Sequence, residues 1–319
     1  MKIDSRMKEI RINFVDFWPD LIKNNNYLFN LLSENYNVTI DAVNPDLIFY
    51  SCFGYVHLKY NCKRIFYTGE NLRPNFSGCD FAFSFDFNAK KNHYRLPLYL
   101  FYIDDHKMID KLKNLKSKEE YTAIWSKKSK FCCMVVSNPK AIKRINFFNN
   151  LSKIKKVDSG GAVLNNVGGR VKDKMEFIND YKFVISFENE SQIGYTSEKI
   201  LEPIFRDCIP IYWGNKLVDQ DFNPARFINY HDFNSEKELI QKLIEIDQNL
   251  DLGVDIISQP VFAKNKEDWF VERKTILLKI DSVLKSNKKP IAQTFKGKSY
   301  LFKIKLKSAV KRFKRILQC

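Results

Sequence analysis

The 319-residue chain contains no run of eighteen or more apolar residues, so nothing in it is written to cross a membrane as a helix. Residues 1–10 alternate charged with apolar groups and lack the apolar centre of a signal peptide. The seven cysteines form no C-x-x-C pair, and the four histidines (His57, His93, His106, His231) never fall at a spacing that puts two on one helix face. A structural metal is therefore not expected. Glycine is scarce, at 11 residues, and Gly160-Gly161 and Gly168-Gly169 stand too far apart for G-x-G-x-x-G. With G-x-x-x-x-G-K-[ST] also missing, dinucleotide and P-loop readings fail, and the glycine pairs read as turns. The cysteines mostly sit in apolar stretches such as Phe131-Cys132-Cys133-Met134, as buried thiols in a reducing compartment would. The expected location is cytoplasmic, or peripheral on the cytosolic face of a membrane.

Acidic residues are absent from 285–319, which hold 12 Lys and Arg. The whole chain has 53 basic against 37 acidic residues, leaving 41 against 37 for residues 1–284. A net charge of +16 at first suggests a nucleic-acid partner, yet the body is nearly neutral and the excess lies in the tail, so no nucleic acid is expected. In that tail Phe302, Leu306, Ala309, Val310, Phe313 and Leu317 recur every three or four residues among Lys303, Lys307, Lys311, Arg312, Lys314 and Arg315. The pattern predicts a basic amphipathic helix that can lie on an anionic membrane surface.

Apolar content of 45% supports a packed core, and the length favours two domains. Short β-rich runs alternate with helical patterns, the mark of an α/β fold with parallel strands. Strands are expected at 10–15, 47–52, 64–68 and 81–85 with a helix at 27–34, then a charged linker or inter-domain helix at 104–130. A second α/β unit follows, with strands at 132–137, 182–187, 209–213 and 227–228 and helices at 140–151, 174–179, 197–206, 237–246 and 268–284. The predicted domains are 1–125 and 126–268, with a helix and linker over 269–295 returning to the first domain and the tail over 296–319. Two such sheets leave a central cleft, with ligands beyond the carboxyl ends of the strands.

Two of those strand-end loops are rich in chemistry. Glu188-Asn189-Glu190-Ser191-Gln192-Ile193-Gly194-Tyr195 leads into a helix capped by Thr196 or Ser197, an arrangement whose free N–H groups suit a phosphate. Lys199 adds a cation in the first turn, where the helix dipole gains nothing from one, so an anion is the expected neighbour. Glu198 can accept from a vicinal diol such as a ribose, and Tyr195 can stack or hydrogen-bond. The same residues also suit an ordinary polar helix start. Arg144, one turn into the helix after Ser137-Asn138-Pro139-Lys140, either grips a diphosphate with both guanidinium nitrogens or lies in solvent, and spacing alone does not decide.

Phe187-Glu188-Asn189, Tyr195-Thr196-Ser197-Glu198-Lys199-Ile200 and Cys208-Ile209-Pro210-Ile211-Tyr212-Trp213-Gly214 together resemble the signature of the α-1,3-fucosyltransferases, glycosyltransferase family 10. Phe66-Tyr67-Thr68-Gly69-Glu70-Asn71, the stretch 137–144, Asp221-Phe222-Asn223-Pro224 and a basic tail like that of bacterial members agree in order, so the likeness spans most of 45–285. The resemblance implies a GT-B architecture of two Rossmann-like domains facing a cleft, GDP-β-L-fucose as donor, inversion at the sugar carbon and no obligatory metal or other cofactor. It implies Arg144 and Lys199 on the diphosphate, Asn189, Tyr195 and Glu198 on nucleotide and sugar, and Glu70 as the catalytic base. The chain departs from the family pattern in Glu190, where Ser is common after the Glu-Asn pair, and in Ser197, where Thr is common.

The expected acceptor is an oligosaccharide or glycolipid, with O3 of GlcNAc in a Gal-GlcNAc unit of a surface-glycan or lipopolysaccharide precursor as the attacking hydroxyl. Glu190, which adds charge near a diphosphate, keeps open a same-fold glycosyltransferase with another donor or linkage. A non-catalytic membrane- or nucleic-acid-binding protein is the reading from a different class.

Overall fold

The computed structural model describes residues 7–87 and 90–316, without the side chains of Ser308 and 311–316. It divides into two units, one running to Leu96 and resuming at Asp268, the other spanning Pro97–Glu267.

The first unit is built on β1 (Lys8–Val15), α1 (Tyr27–Ser33), β2 (Tyr36–Ile40), β3 (Leu47–Tyr50), β4 (Lys63–Tyr67), β5 (Phe81–Ser84) and β6 (His93–Arg95). The strands form one sheet in the order β2-β1-β3-β4-β5-β6, every pair parallel. Leu47-Ile48-Phe49-Tyr50 and Phe81-Ala82-Phe83-Ser84 are buried along their whole length. A parallel sheet covered on both faces demands such continuously apolar strands. The sequence reading did not include β2 or β6: β2 alternates in burial at the edge of the sheet, and β6 has only three residues.

Of the two readings for 104–130, linker or inter-domain helix, the segment is largely helical and belongs to the second unit, so the boundary falls at Leu96 rather than 125. α2 (Leu98–Asp105) buries Tyr99, Leu100, Phe101 and Ile103, α3 (Ile109–Lys113) follows, and α4 (Lys118–Lys127) starts on a capping box in which Ser117 and Glu120 bond each other's backbone N–H. Lysines on the solvent side hid the apolar face from a composition reading. Trp125 of α4 is 1% exposed.

β7 (Lys130–Met134), α5 (Ile142–Ser152), β8 (Val157–Ser159), α6 (Lys174–Ile178), β9 (Tyr181–Phe187), α7 (Glu198–Phe205), β10 (Ile209–Trp213), β11 (Ile228–Asn229), α8 (Glu236–Gln248) and α9 (Leu250–Ile257) complete the second unit. Its sheet runs β11-β10-β9-β7-β8, again all parallel. By order of appearance, the first five strands of both sheets run 2-1-3-4-5, which places a switch point between the first and third strand of each. In the second sheet that point lies between β7 and β9.

α10 (Trp269–Leu284) and α11 (Phe295–Ile316) belong to the first unit. Asp281 on α10 accepts from Tyr36 Oη at 2.6 Å, Arg273 pairs with Glu34, and Trp269 packs on Tyr27 with ring centroids 6.0 Å apart. The connection between the helices is tied down by Ile291 N donating to Asp80 Oδ1 at 2.8 Å and Gln293 to the Asn61 carbonyl at 2.8 Å. Farther along α11, Phe302, Leu306 and Val310 are exposed. No described helix is long and apolar enough to cross a membrane. The side chains of Lys311, Arg312, Phe313, Lys314 and Arg315, and Leu317 and Cys319 altogether, lie outside the described residues.

Candidate functional site

At the switch point of the second sheet, the segments after β7 and β9 and the first turn of α7 enclose a cavity of about 210 Å³. Arg144, Asn189, Glu198 and Lys199 all line it, with Ser137 and Lys174. Four of the five residues expected on the donor side thus meet at one place. Tyr195 lies on the adjoining loop, is 4% exposed and does not line the cavity.

Arg144 is not a solvated helix arginine. It is 3% exposed, and its Nη2 donates to the Phe187 carbonyl and, at 3.4 Å, to Asn189 Oδ1. Its Nε is buried without a hydrogen-bond partner among the described residues. Burial lowers its pKa, while the negative charges of Glu188 and Glu198 work the other way. A desolvated guanidinium that lines a cavity beside a second cation suits an anion.

Lys199 is held differently. Its Nζ lies 3.2 Å from Glu188 Oε2, 2.9 Å from Ser197 Oγ and 3.5 Å from Glu198 Oε1. Burial alone would lower its pKa, yet Glu188 and Glu198 raise it above the ordinary lysine value. Glu188, which the sequence reading passed over, is the hub of the loop. It is 1% exposed and accepts from Ser197 N at 2.7 Å, from Ser197 Oγ and from Lys199. Gly214 makes room for it, since a Cβ there would stand 2.5 Å from Glu188 Cγ. Ser197, rather than Thr196, caps α7.

Asn215 closes the loop from the other side: its Oδ1 accepts from Gly194 N at 2.7 Å and its Nδ2 donates to Thr196 Oγ1 at 3.0 Å. Gly194 has φ 87°, a left-handed turn that suits glycine. Lys174, also missed, pairs with Glu202, whose other oxygen accepts from Tyr102 Oη at 2.9 Å. Burial would raise the Glu198 pKa, but Lys199 and Lys174 hold it below the usual carboxylate range. Glu188 directly follows an apolar strand and Asn215 stands two residues after another, and a polar residue at such a place was the signal available.

Glu70 belongs to the first unit, on the turn after β4, and is exposed. Its N–H donates to Thr68 Oγ1 at 3.1 Å and its carbonyl accepts from Leu72 N at 2.7 Å, which fixes the turn. Of the glycine pairs, Gly161 packs on the Val136 backbone, with 2.1 Å for a Cβ, and Gly168 and Gly169 have φ of 83° and 144° in an open turn. Asp219-Gln220-Asp221 has the spacing of a metal-binding Asp pair, but Asp221 is 1% exposed and accepts from Tyr99 Oη at 2.8 Å. Among the described residues no group of three His, Cys, Asp or Glu could hold a metal.

Residues 12–102 match the model of the alpha-(1,3)-fucosyltransferase FucT N-terminal domain, and residues 125–252 that of the glycosyltransferase family 10 (fucosyltransferase) C-terminal part. The chain is 34% identical to the alpha-(1,3)-fucosyltransferase FucT of Helicobacter pylori over 318 residues, covering 87% of this chain and 66% of that protein. It is 34% identical to 4-galactosyl-N-acetylglucosaminide 3-alpha-L-fucosyltransferase 9 of Mus musculus over 128 residues, covering 38% of this chain and 34% of that protein. The chain therefore spans from about a third to just under two thirds of the length of these relatives. A crystal structure of an alpha1,3-fucosyltransferase with GDP-fucose superposes with a TM-score of 0.73 at 30% identity, over 90% of this chain and 94% of that one. Anabaena HepE, at 8% identity and a TM-score of 0.52, shares the fold alone. The architecture is of the GT-B type.

Proposed function

Because this chain belongs to glycosyltransferase family 10, the fucosyltransferases, we propose that it transfers L-fucose from GDP-β-L-fucose, with inversion, to O3 of GlcNAc in a Gal-GlcNAc unit of a surface-glycan or lipopolysaccharide precursor. The observation that carries the donor half is Arg144, a buried cation with an unbonded Nε at a cavity it shares with Lys199. Both cations take the diphosphate. Glu198 accepts from the ribose hydroxyls, and Asn189 and Tyr195 hold nucleotide and sugar from the loop beside them.

Negative charge grows on the β-phosphate as GDP leaves, so cations already fixed there stabilise the transition state more than the ground state. An acceptor hydroxyl is a weak nucleophile at neutral pH. Glu70 takes its proton as it attacks the face of the fucosyl carbon opposite GDP, and a base so placed contributes about 10²–10⁴ in rate. With Arg144 and Lys199 carrying the leaving charge, turnover should proceed in EDTA without an added metal or cofactor. The exposed Phe302, Leu306 and Val310 of α11, set among lysines, support a tail that holds the enzyme on the cytosolic face of an anionic membrane, beside a lipid-linked acceptor.

Calorimetry with GDP and a transfer assay, run side by side, separate the two halves. Glu70→Gln should lower transfer by about 10²–10⁴ and leave GDP affinity unchanged. Arg144→Ala and Lys199→Ala should each weaken GDP by about tenfold to a hundredfold, the worth of a hydrogen bond to a charged group. Wild-type transfer in Glu70→Gln removes Glu70 as base, and unchanged GDP affinity in both cation variants moves the diphosphate elsewhere.

A further inference from the structure

The carboxyl end of the first sheet carries a construction that donor binding does not use. Asp16, just after β1, has φ 59° and a side chain only 1% exposed. It accepts from Val56 N at 2.8 Å, His57 N at 2.9 Å and His57 Nδ1 at 2.7 Å, which ties the segment after β3 to the end of β1. Phe53 N donates to the Asp16 carbonyl at 3.0 Å, and a Cβ on Gly54 would stand 2.4 Å from Asp16 Oδ1. His57 beneath is stacked on Tyr50 with ring centroids 4.1 Å apart.

These bonds hold the ledge over 53–55 rigid, yet it turns its aromatic residues outward. Phe53 is 51% and Tyr55 62% exposed, above a buried hydrogen-bonded Asp16–His57 pair that a plain surface loop does not require. Phe17 and Trp18 follow Asp16, with ring centroids 5.4 Å apart. The ledge is also joined to the turn of Glu70. Cys52 Sγ lies 3.3 Å from Thr68 Oγ1, the atom that accepts from Glu70 N.

We propose that Phe53 and Tyr55 form the subsite for the galactosyl ring of the acceptor. The inference rests on the acceptor reading above: galactose on O4 of GlcNAc is attached one carbon from the O3 whose proton Glu70 takes, so it must lie near the Glu70 turn. The axial O4 of galactose leaves the hydrogens of C3, C4 and C5 on one face, an apolar patch that an aromatic ring covers well. A ledge whose backbone is already tied down loses little backbone freedom on binding, which favours affinity.

The test uses the full chain, wild type and the double variant Phe53→Ala/Tyr55→Ala, both exposed positions, with Gal-β-1,4-GlcNAc and with GlcNAc alone. Saturation-transfer NMR of the disaccharide should mark galactosyl H3, H4 and H5 in the wild type, and the variant should lose most of that signal. For transfer, kcat/KM for the disaccharide should fall about tenfold in the variant, a loss of about 1.4 kcal/mol. The value for GlcNAc should stay within about twofold, the slack expected of surface substitutions away from the contact, and GDP affinity should not move. Equal galactosyl saturation in both proteins, or an equal fall for both acceptors, overturns the subsite. Galactosyl saturation in a wild type that transfers no fucose would instead refute the activity and leave the subsite standing.

Discussion

Arg144 and Lys199 are two cations of the same cavity, prepared in different ways. Arg144 has given up its water for two bonds from one nitrogen, whereas Lys199 leans on the buried carboxylate of Glu188. A diphosphate bound as proposed would add a counter-ion to Arg144, and at Lys199 would compete with one already there. Glu188 is the residue on which the loop depends. Glu188→Gln keeps the shape but removes the charge that faces Ser197 N and Lys199, and breaking a buried pair from one side costs about 3–5 kcal/mol. Lys199 retains 22% exposure, so about half of that is expected. Urea unfolding should report the loss, and an unchanged midpoint would show that Glu188 does not organise the loop.

At the scale of elements, α7 joins the donor residues at its first turn to a set of cations at its last. Lys111 donates to the Phe205 carbonyl, Lys128 to that of Arg206 at 3.0 Å, and Arg226 to those of Ile204 at 3.3 Å and Cys208 at 3.1 Å. Cations there complement the helix dipole and bond carbonyls that the helix leaves open. Burial lowers the Arg226 pKa to about 10, so it remains charged at neutral pH. Arg226→Met should cost about 1–3 kcal/mol by removing two buried hydrogen bonds, read as a lower Tm. Where α9 crosses α4, Gly253 faces the Trp125 indole, which a Cβ would meet at 2.1 Å. Gly253→Ala should destabilise by about 1–3 kcal/mol through overpacking.

These elements also show what the sequence could tell. The apolar runs of β3, β5 and β9 and the helix over Trp269–Leu284 were legible, because buried parallel strands and an amphipathic helix impose their own periods. α2 to α4 were legible only as a linker or inter-domain helix, since their apolar faces are interrupted by lysines and their signal is the packing of Tyr99, Tyr121 and Trp125. Arg144, Asn189, Glu198 and Lys199 were found by motif, and residue types alone left Arg144 undecided. Glu188, Asn215 and Lys174 escaped because their partners are distant or conformational: a helix cap, a glycine N–H and a carboxylate on another helix.

For the whole molecule, the tail and the acid response are the accessible tests. Tyr300 packs on Gly78, and Ile291 and Gln293 bond the first unit, so a truncation that probes the proposed membrane contact is best placed after Tyr300. Truncation after residue 300 should abolish binding to vesicles of anionic lipid while transfer to a soluble acceptor persists, and vesicle binding that survives would place the anchor elsewhere. Burial would raise the pKa of Asp16, Asp247 and Glu198, but His57 at Asp16, Lys155 and Lys182 at Asp247, and Lys199 at Glu198 hold all three below their ordinary values. Acids so lowered contribute stability that is present above their unfolded pKa and lost as pH falls through the folded value. Asp80 opposes them, its pKa raised by burial. The net expectation is a urea midpoint that is level from pH 7 to about 5 and falls steeply below about pH 4. A midpoint still level at pH 3 would contradict it.

The claim beneath all of this is that a GDP-linked fucose loses its nucleotide to an acceptor hydroxyl with reversal of configuration. NMR of the product formed from GDP-β-L-fucose and Gal-β-1,4-GlcNAc in EDTA tests it most directly. The account predicts released GDP and a trisaccharide with α-linked fucose on O3 of GlcNAc. A β-linked product, fucose on another hydroxyl, or no product until a divalent metal is added would contradict it.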